Sequence, residues 1–208
     1  STGEAELVPD GYHADGWLLL INGVQSSHVI VGQPRMLDFE YMRWIAAVLD
    51  SHIQTHLNPE KLRITHLGGG ACSLARYCAD VYPNSRNTVV ELDAKLAEHV
   101  RDWFDIPKSP RVKIRVGDAG TVTRSFAPAS RDVVIRDVFA VDKTPVELTG
   151  VDFVRTVDNS LGPGGLYILN CGDDRTLNAA RAEAAALLEV FEYVSIVADS
   201  AMLKGRRR

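Results

Sequence analysis

The hydrophobic and polar positions fall into two regimes along the chain. Residues 17–21 and 27–31 are short apolar runs around the polar stretch 22–26, a pattern that predicts a β-hairpin with a five-residue connection. The first ten residues show no periodicity and read as a loose terminus. After Pro34, Leu37, Tyr41, Ile45, Val48 and Leu49 recur at helical spacing, with Asp38, Glu40, Arg43 and Asp50 on the other side. This predicts a helix from residue 37 to about 54, ended by the breaker Asn58-Pro59. From Lys61 onward, short apolar runs alternate with helical segments. Strands are predicted over 62–67, 88–92, 112–116, 132–136 and 166–169, with a further one at 191–197. Helices are predicted over 71–82, 94–103, 150–161 and 174–189, the last presenting Leu177, Ala180, Ala184, Leu187 and Leu188 on one face. Alternation of this kind specifies an α/β chain with a doubly wound, mostly parallel, Rossmann-like sheet. The organisation expected is an N-terminal β-hairpin and helix over 1–57 and a nucleoside-binding domain over 58–208.

Composition narrows the function classes. With 208 residues, 46% hydrophobic and 24% charged, the chain suits one globular domain with a small extra module. A net charge of −4 argues against a broad nucleic-acid surface. No apolar run approaches the ~20 residues needed to span a bilayer. The opening residues carry no secretory signal, and three cysteines cannot all pair, so a cytoplasmic setting is expected.

The predicted strand ends carry the chemistry. The first strand of the alternating region runs into Gly68, Gly69 and Gly70 before a helix begins. Three glycines exceed what a tight turn requires and let a ligand approach the backbone. The next strand ends near Glu91, where an acid can accept from both hydroxyls of a ribose. The third ends at Asp118-Ala119, where a carboxylate could accept from an adenine amine, and the fourth delivers Asp137 to the same rim as a candidate general base. Glu91 and Asp118 taken singly are as well explained as helix caps, and Asp137 alone better so; in succession they outline a nucleoside pocket. No Gly-Lys-Ser/Thr follows the glycines, which excludes a phosphate-binding P-loop, and the later glycine of a dinucleotide fingerprint is absent. A nucleoside without phosphates, such as an S-adenosyl compound, fits better.

Other candidates are weaker. His52 and His56 have the spacing of two helix-borne metal ligands but lack a third, so no metal centre is expected. Cys72 falls at a helix start, where a thiolate is favoured, and Cys171 follows the fifth strand near the pocket; both read as ordinary buried cysteines. Gly162-Pro-Gly-Gly165 reads as a structural loop before the fifth strand, and Arg206–Arg208 carries too little charge to indicate a nucleic-acid or membrane partner.

These residues resemble the spermidine synthase (aminopropyltransferase) family, a branch of the class I S-adenosylmethionine methyltransferase fold, over nearly the whole chain from Trp17 onward. The chain resembles shorter actinobacterial members in particular. Asn22-Gly-Val-Gln-Ser-Ser27 is similar to the family's hairpin motif, which assigns Gln25 to the nucleoside donor, and Asp38-Phe-Glu-Tyr41 resembles the segment that brings a tyrosine, Tyr41, to the acceptor side. The resemblance makes Gly68, Gly69 and Gly70 the glycine loop, Glu91 the ribose acid, Asp118 and Ala119 the adenine contact, and Asp137 the catalytic aspartate. It implies transfer of an aminopropyl group from decarboxylated S-adenosylmethionine to an amine such as putrescine, releasing methylthioadenosine. It further implies no tightly bound cofactor, and a homodimer. Three positions depart from the pattern: Ala71 and Ala140 replace aspartates that hold cationic substrate, and Ala47 stands where a histidine is expected. An S-adenosylmethionine-dependent methyltransferase and a catalytically silent nucleoside-binding homologue are the alternatives these departures favour. The fold also implies one more antiparallel strand after 191–197, beginning within 204–208, so the chain reads as short for that fold.

Overall fold

The structure, a computed structural model, describes residues 3–140 and 143–203. Three strands form an N-terminal antiparallel sheet: β1 (Ala5–Pro9), β2 (Gly16–Ile21) and β3 (Val24–Ile30). β1 corrects the expectation of a loose terminus. Its residues pair with β2 in unbroken register from Ala5 opposite Ile21 to Pro9 opposite Trp17, so partnership rather than local pattern makes it a strand. The β2–β3 connection is also tighter than predicted. Asn22 (φ 52°) and Gly23 (φ 77°) both adopt left-handed backbone, as a two-residue primed turn requires. Gln25 and Ser26 therefore lie within β3, where the register shifts opposite Leu19 and Leu20.

The second sheet contains β4 (Arg63–Leu67), β5 (Arg86–Glu91), β6 (Val112–Val116), β7 (Arg131–Arg136) and β8 (Leu161–Leu169), all parallel, in the order β6-β5-β4-β7-β8. The chain leaves β4 in one direction and returns to pair β7 on its other side, so the winding reverses between these two strands. α1 (Glu40–His56), α2 (Ser73–Val81) and α3 (Ala94–Trp103) cover one face. Ile64, Val133 and Ile135 pack there with Leu49, Ile53, Leu74 and Cys78. Val89 meets Leu96 and Val100 on the same side, together with Leu19 and Val29 of the N-terminal sheet. The alternate residues Leu67, Val90 and Val134 face α4 (Ala119–Arg124) and α5 (Val151–Ser160), against Val122, Phe153 and Val157. This one-residue alternation puts a hydrophobic layer on each face of the sheet.

Several elements differ from the sequence expectation. α4 was not legible, because it is six residues long and begins directly at a capping Asp118. β8 begins at Leu161 and incorporates Gly162–Gly165, which had read as a loop; a register irregularity between Arg131 and Val133 accommodates it. In α6 (Asn178–Leu188) the buried residues are Glu183 and Ala186, while Leu188 is exposed. The apolar face drawn from the sequence is displaced because Glu183 turns inward to meet Arg136. Residues 191–197 are not a strand, and Tyr193, Ile196 and Val197 are exposed. A strand there needs a ladder partner, and none exists among the described residues. The further strand expected within 204–208 lies outside the described residues.

Candidate functional site

A cavity of about 660 Å³ opens at the carboxyl ends of β4, β5 and β7, at the reversal of winding. Its wall includes each residue assigned from the sequence to the nucleoside, the acceptor side or the base: Gln25, Tyr41, Gly68, Gly69, Gly70, Glu91, Asp118, Ala119 and Asp137. The β2–β3 hairpin closes it from above. Ser27 Oγ accepts from the Ala71 N–H at 3.0 Å, and Ser73 Oγ donates to the His28 carbonyl at 2.9 Å.

The glycine loop is built by close backbone approach. Gly68 sits at φ +91°, and a Cβ there would lie 2.1 Å from the Asp137 carbonyl oxygen. That carbonyl belongs to the neighbouring strand end, whose Asp137 N–H donates to Leu67 O at 2.8 Å. Gly68→Ala is thus expected to push the β4 and β7 ends apart and to displace Asp137 itself. A stability loss of about 1–3 kcal/mol is expected, read by denaturant melts; a wild-type value would contradict this packing.

Glu91 closes β5 and reaches across to the loop. Its Oε2 accepts from the Gly69 N–H at 3.0 Å and the Gly70 N–H at 3.3 Å, and its Oε1 accepts from the Asp93 N–H at 2.9 Å. The carboxylate thereby orders the loop. Asp118 is both a helix cap and a wall residue. Its Oδ1 accepts from the Thr121 N–H at 2.7 Å, and that bond holds its carboxyl below the usual range.

Asp137 is the chemical centre of the cavity. Tyr41 OH donates to its Oδ2 at 2.9 Å, and Asn170 Nδ2 donates to its Oδ1 at 3.0 Å. Burial raises its pKa above the ordinary carboxylate value against the opposing effect of these two donors. Burial, reinforced by the Asp137 charge, pushes the Tyr41 phenol far upward, so Tyr41 is a fixed hydrogen-bond donor and no base. A carboxylate so placed can take a proton from a group bound in the cavity. Asn170 was not anticipated. It directly follows β8, so the reasoning applied to the first four strand ends, carried to the fifth, would have found it.

The three departures occupy different surroundings. Ala71 is fully buried, with its N–H engaged by Ser27. Ala140 is on the cavity wall and pairs with Lys143 through an isolated bridge. Ala47 lies on the exposed side of α1, away from the wall; the wall residue following Tyr41 is Met42. Cys72 does not have the stabilised thiolate its helix-start position suggested. Burial and the nearby Glu91 charge push its thiol up to about 12, and Cys171, half-buried and outside the cavity wall, is also pushed up to about 12. The His52 and His56 rings lie tilted with centroids 4.6 Å apart, and His52 Nε2 lies 2.8 Å from the Gly164 carbonyl, an ordinary structural contact. No helix among the described residues is long and apolar enough to cross a membrane.

Comparison with known proteins gives three informative similarities. A probable spermidine synthase from Corynebacterium glutamicum superimposes with a TM-score of 0.95 at 60% identity, over 98% of this chain and 73% of that one. The polyamine aminopropyltransferase of Vibrio vulnificus is 26% identical over 140 residues, 66% of this chain and 45% of that protein. The eEF1A lysine and N-terminal methyltransferase of Mus musculus is 33% identical over 128 residues, 56% of this chain and 18% of that protein. The chain therefore spans about half, or less, of the length of these two curated relatives. No family model matches.

Proposed function

Since the chain belongs to the spermidine synthase family, we propose that it transfers an aminopropyl group from decarboxylated S-adenosylmethionine to an amine. The observation that carries this reading is the buried Asp137 carboxylate, held by Tyr41 and Asn170 at the cavity's centre beside the glycine loop. In the step proposed, Asp137 takes a proton from the acceptor amine, and the nitrogen lone pair attacks the aminopropyl carbon next to the sulfonium. The C–N bond forms as the C–S bond breaks, the electron pair stays on sulfur, and methylthioadenosine leaves as a neutral thioether. A raised pKa suits this task, because it brings the base closer to the amine whose proton it must accept. Holding the two reactants in line supplies much of the remaining acceleration. Gln25, Gly68, Gly69, Gly70, Glu91, Asp118 and Ala119 are assigned to the nucleoside, and Tyr41 to the acceptor side.

The acceptor side is less polar than the resemblance implied. Phe39, Met42, Val138, Phe139 and Ala140 share the wall with Tyr41. Each charge-assisted bond missing to a cationic amine forgoes about 1.5–3 kcal/mol. A second reading, methyl transfer from S-adenosylmethionine, draws on Ala71, whose methyl group leaves no carboxylate to hold the donor's amine, and on the similarity to the mouse methyltransferase.

Incubation with each donor and a panel of amines separates the two. Release of methylthioadenosine from the decarboxylated donor is the expected result. S-adenosylhomocysteine formed from S-adenosylmethionine, without methylthioadenosine, would replace this reading by the second. Calorimetry tests the donor site independently. Glu91→Ala should weaken methylthioadenosine binding at least about tenfold for each ribose bond lost, and an unchanged affinity would contradict the ribose assignment.

A further inference from the structure

The N-terminal sheet brings together three side chains that the reading above leaves unused. Asp10 and His13 lie in the connection between β1 and β2, and His28 lies in β3, opposite Leu18. Asp10 Oδ1 accepts from the Tyr12 and His13 backbone N–H groups, each at 2.8 Å, which fixes the carboxylate plane. Its Oδ2 is then met by His13 Nδ1 and His28 Nε2, each at 2.8 Å. These three atoms lie within 4.8 Å of one another, and among the described residues no other group of three or more such side chains does so.

We propose that Asp10, His13 and His28 form a binding site for a borderline divalent transition-metal cation, with Zn²⁺ as the ion the donor set suits. Two imidazole nitrogens and one carboxylate oxygen are a recognised three-ligand set for that ion, completed by water. The oxygen not used for the ion is already satisfied by backbone, so Oδ2 is pre-aimed. The turn itself requires only the Asp10 carboxylate, whose Oδ1 accepts from the two backbone N–H groups. His28, supplied by a different strand, adds nothing to the turn and completes the donor face.

Exposure gives the site one open side. The side chains of Asp10 and His28 are each 4% exposed and that of His13 is 44% exposed, leaving room for entry and for a water ligand. Gly16 makes the fit possible, because a Cβ there would lie 2.1 Å from Asp10 Oδ2. Metal–ligand distances of about 2.0–2.2 Å in tetrahedral geometry separate ligand atoms by roughly 3.3 Å, so the present 2.8 Å pairs open by about half an ångström on binding. His28 Nδ1 is buried without a protein partner. That missing outer-shell acceptor sets the expected affinity about 10–100-fold below a site with a complete surround. His28 is also fastened through its carbonyl to Ser73 at the start of α2, so an ion here braces the strand that roofs the cavity.

Untagged full-length protein, stripped with chelator and dialysed, is titrated with Zn²⁺ by calorimetry and with Co²⁺ as an absorbance probe. One equivalent of each should bind, with the intense visible bands of a four-coordinate Co²⁺ centre. His13→Ala, at an exposed position the fold does not need, and Asp10→Asn should each weaken binding by more than about 100-fold, beyond what loss of an outer-shell partner costs. A His52→Ala/His56→Ala variant should bind as wild type. Absence of stoichiometric binding, binding unchanged in His13→Ala, or binding lost in the His52/His56 variant would each overturn the assignment, leaving the cluster a hydrogen-bonded turn anchor.

Discussion

Asp137→Asn should lower the turnover of aminopropyl transfer by about 10²–10⁴-fold while leaving donor affinity within a few-fold of wild type, because only the proton-accepting role is removed. The substitution fits the site. An asparagine can accept from Asn170 through its oxygen and donate to the Tyr41 oxygen through its nitrogen, so both neighbours stay paired. Stability should respond in the opposite direction to activity. Burial raises the native pKa of Asp137 above the unfolded value of 3.8, so ionisation is harder in the folded state. Its contribution to stability is fully present below the unfolded pKa and is lost as pH rises through the raised native value. Near neutral pH the wild type therefore bears the cost of a buried charge that the asparagine variant does not. The variant is expected to melt at the same temperature as wild type or higher, and this difference should vanish at acid pH. Wild-type turnover should in turn rise with pH through that same raised value. Turnover retained in Asp137→Asn would remove Asp137 from the role of base, and a variant markedly less stable than wild type at neutral pH would contradict the raised native pKa.

A larger stability effect is expected one residue earlier. Arg136 is fully buried, and its guanidinium lies 2.7 Å from Glu183, donates to the Leu148 carbonyl at 2.5 Å and reaches the Asn170 carbonyl at 3.4 Å. One side chain thus ties the end of β7 to the segment before α5, to α6, and to the backbone of the residue that orients Asp137. Glu183→Ala strands that cation in the interior, at an expected cost of about 3–5 kcal/mol. For a domain of this size the melting temperature should fall by roughly 6–20 °C. Replacing both partners, as Arg136→Met with Glu183→Leu, should recover most of that loss, because the penalty belongs to the unpaired charge rather than to absence of the bridge. A Glu183→Ala protein within about 1 kcal/mol of wild type, measured by denaturant melts, would show that the charge finds other compensation.

These effects separate what local pattern reveals from what it conceals. The five parallel strands were legible because each contains a short apolar or alternating run, most deeply buried in the central β4 and β7 and more exposed in the edge strands β6 and β8. The cavity was legible because its glycines and acids sit at successive strand ends, where the winding rule places ligands. Asn170 and Met42 escaped because an amide after a strand and a methionine within an amphipathic helix carry no signal of their own. Residues 191–197 looked like a strand because periodicity reports only what a segment could bury, and a strand also needs a neighbour. β1 failed in the reverse sense: a segment without a convincing period became ordered through its pairing with β2.

Backbone conformation and periodicity act over a few residues, so the five parallel strands, most of the helices between them, the glycine loop and the identity of its acidic neighbours could be read from the chain alone. The partnership of Tyr41 and Asn170 at Asp137, the inward turn of Glu183 toward Arg136, and the meeting of His28 with Asp10 and His13 join residues from different elements of the fold. Their burial and charge have meaning only once packing has removed water from around them, and no linear pattern records that.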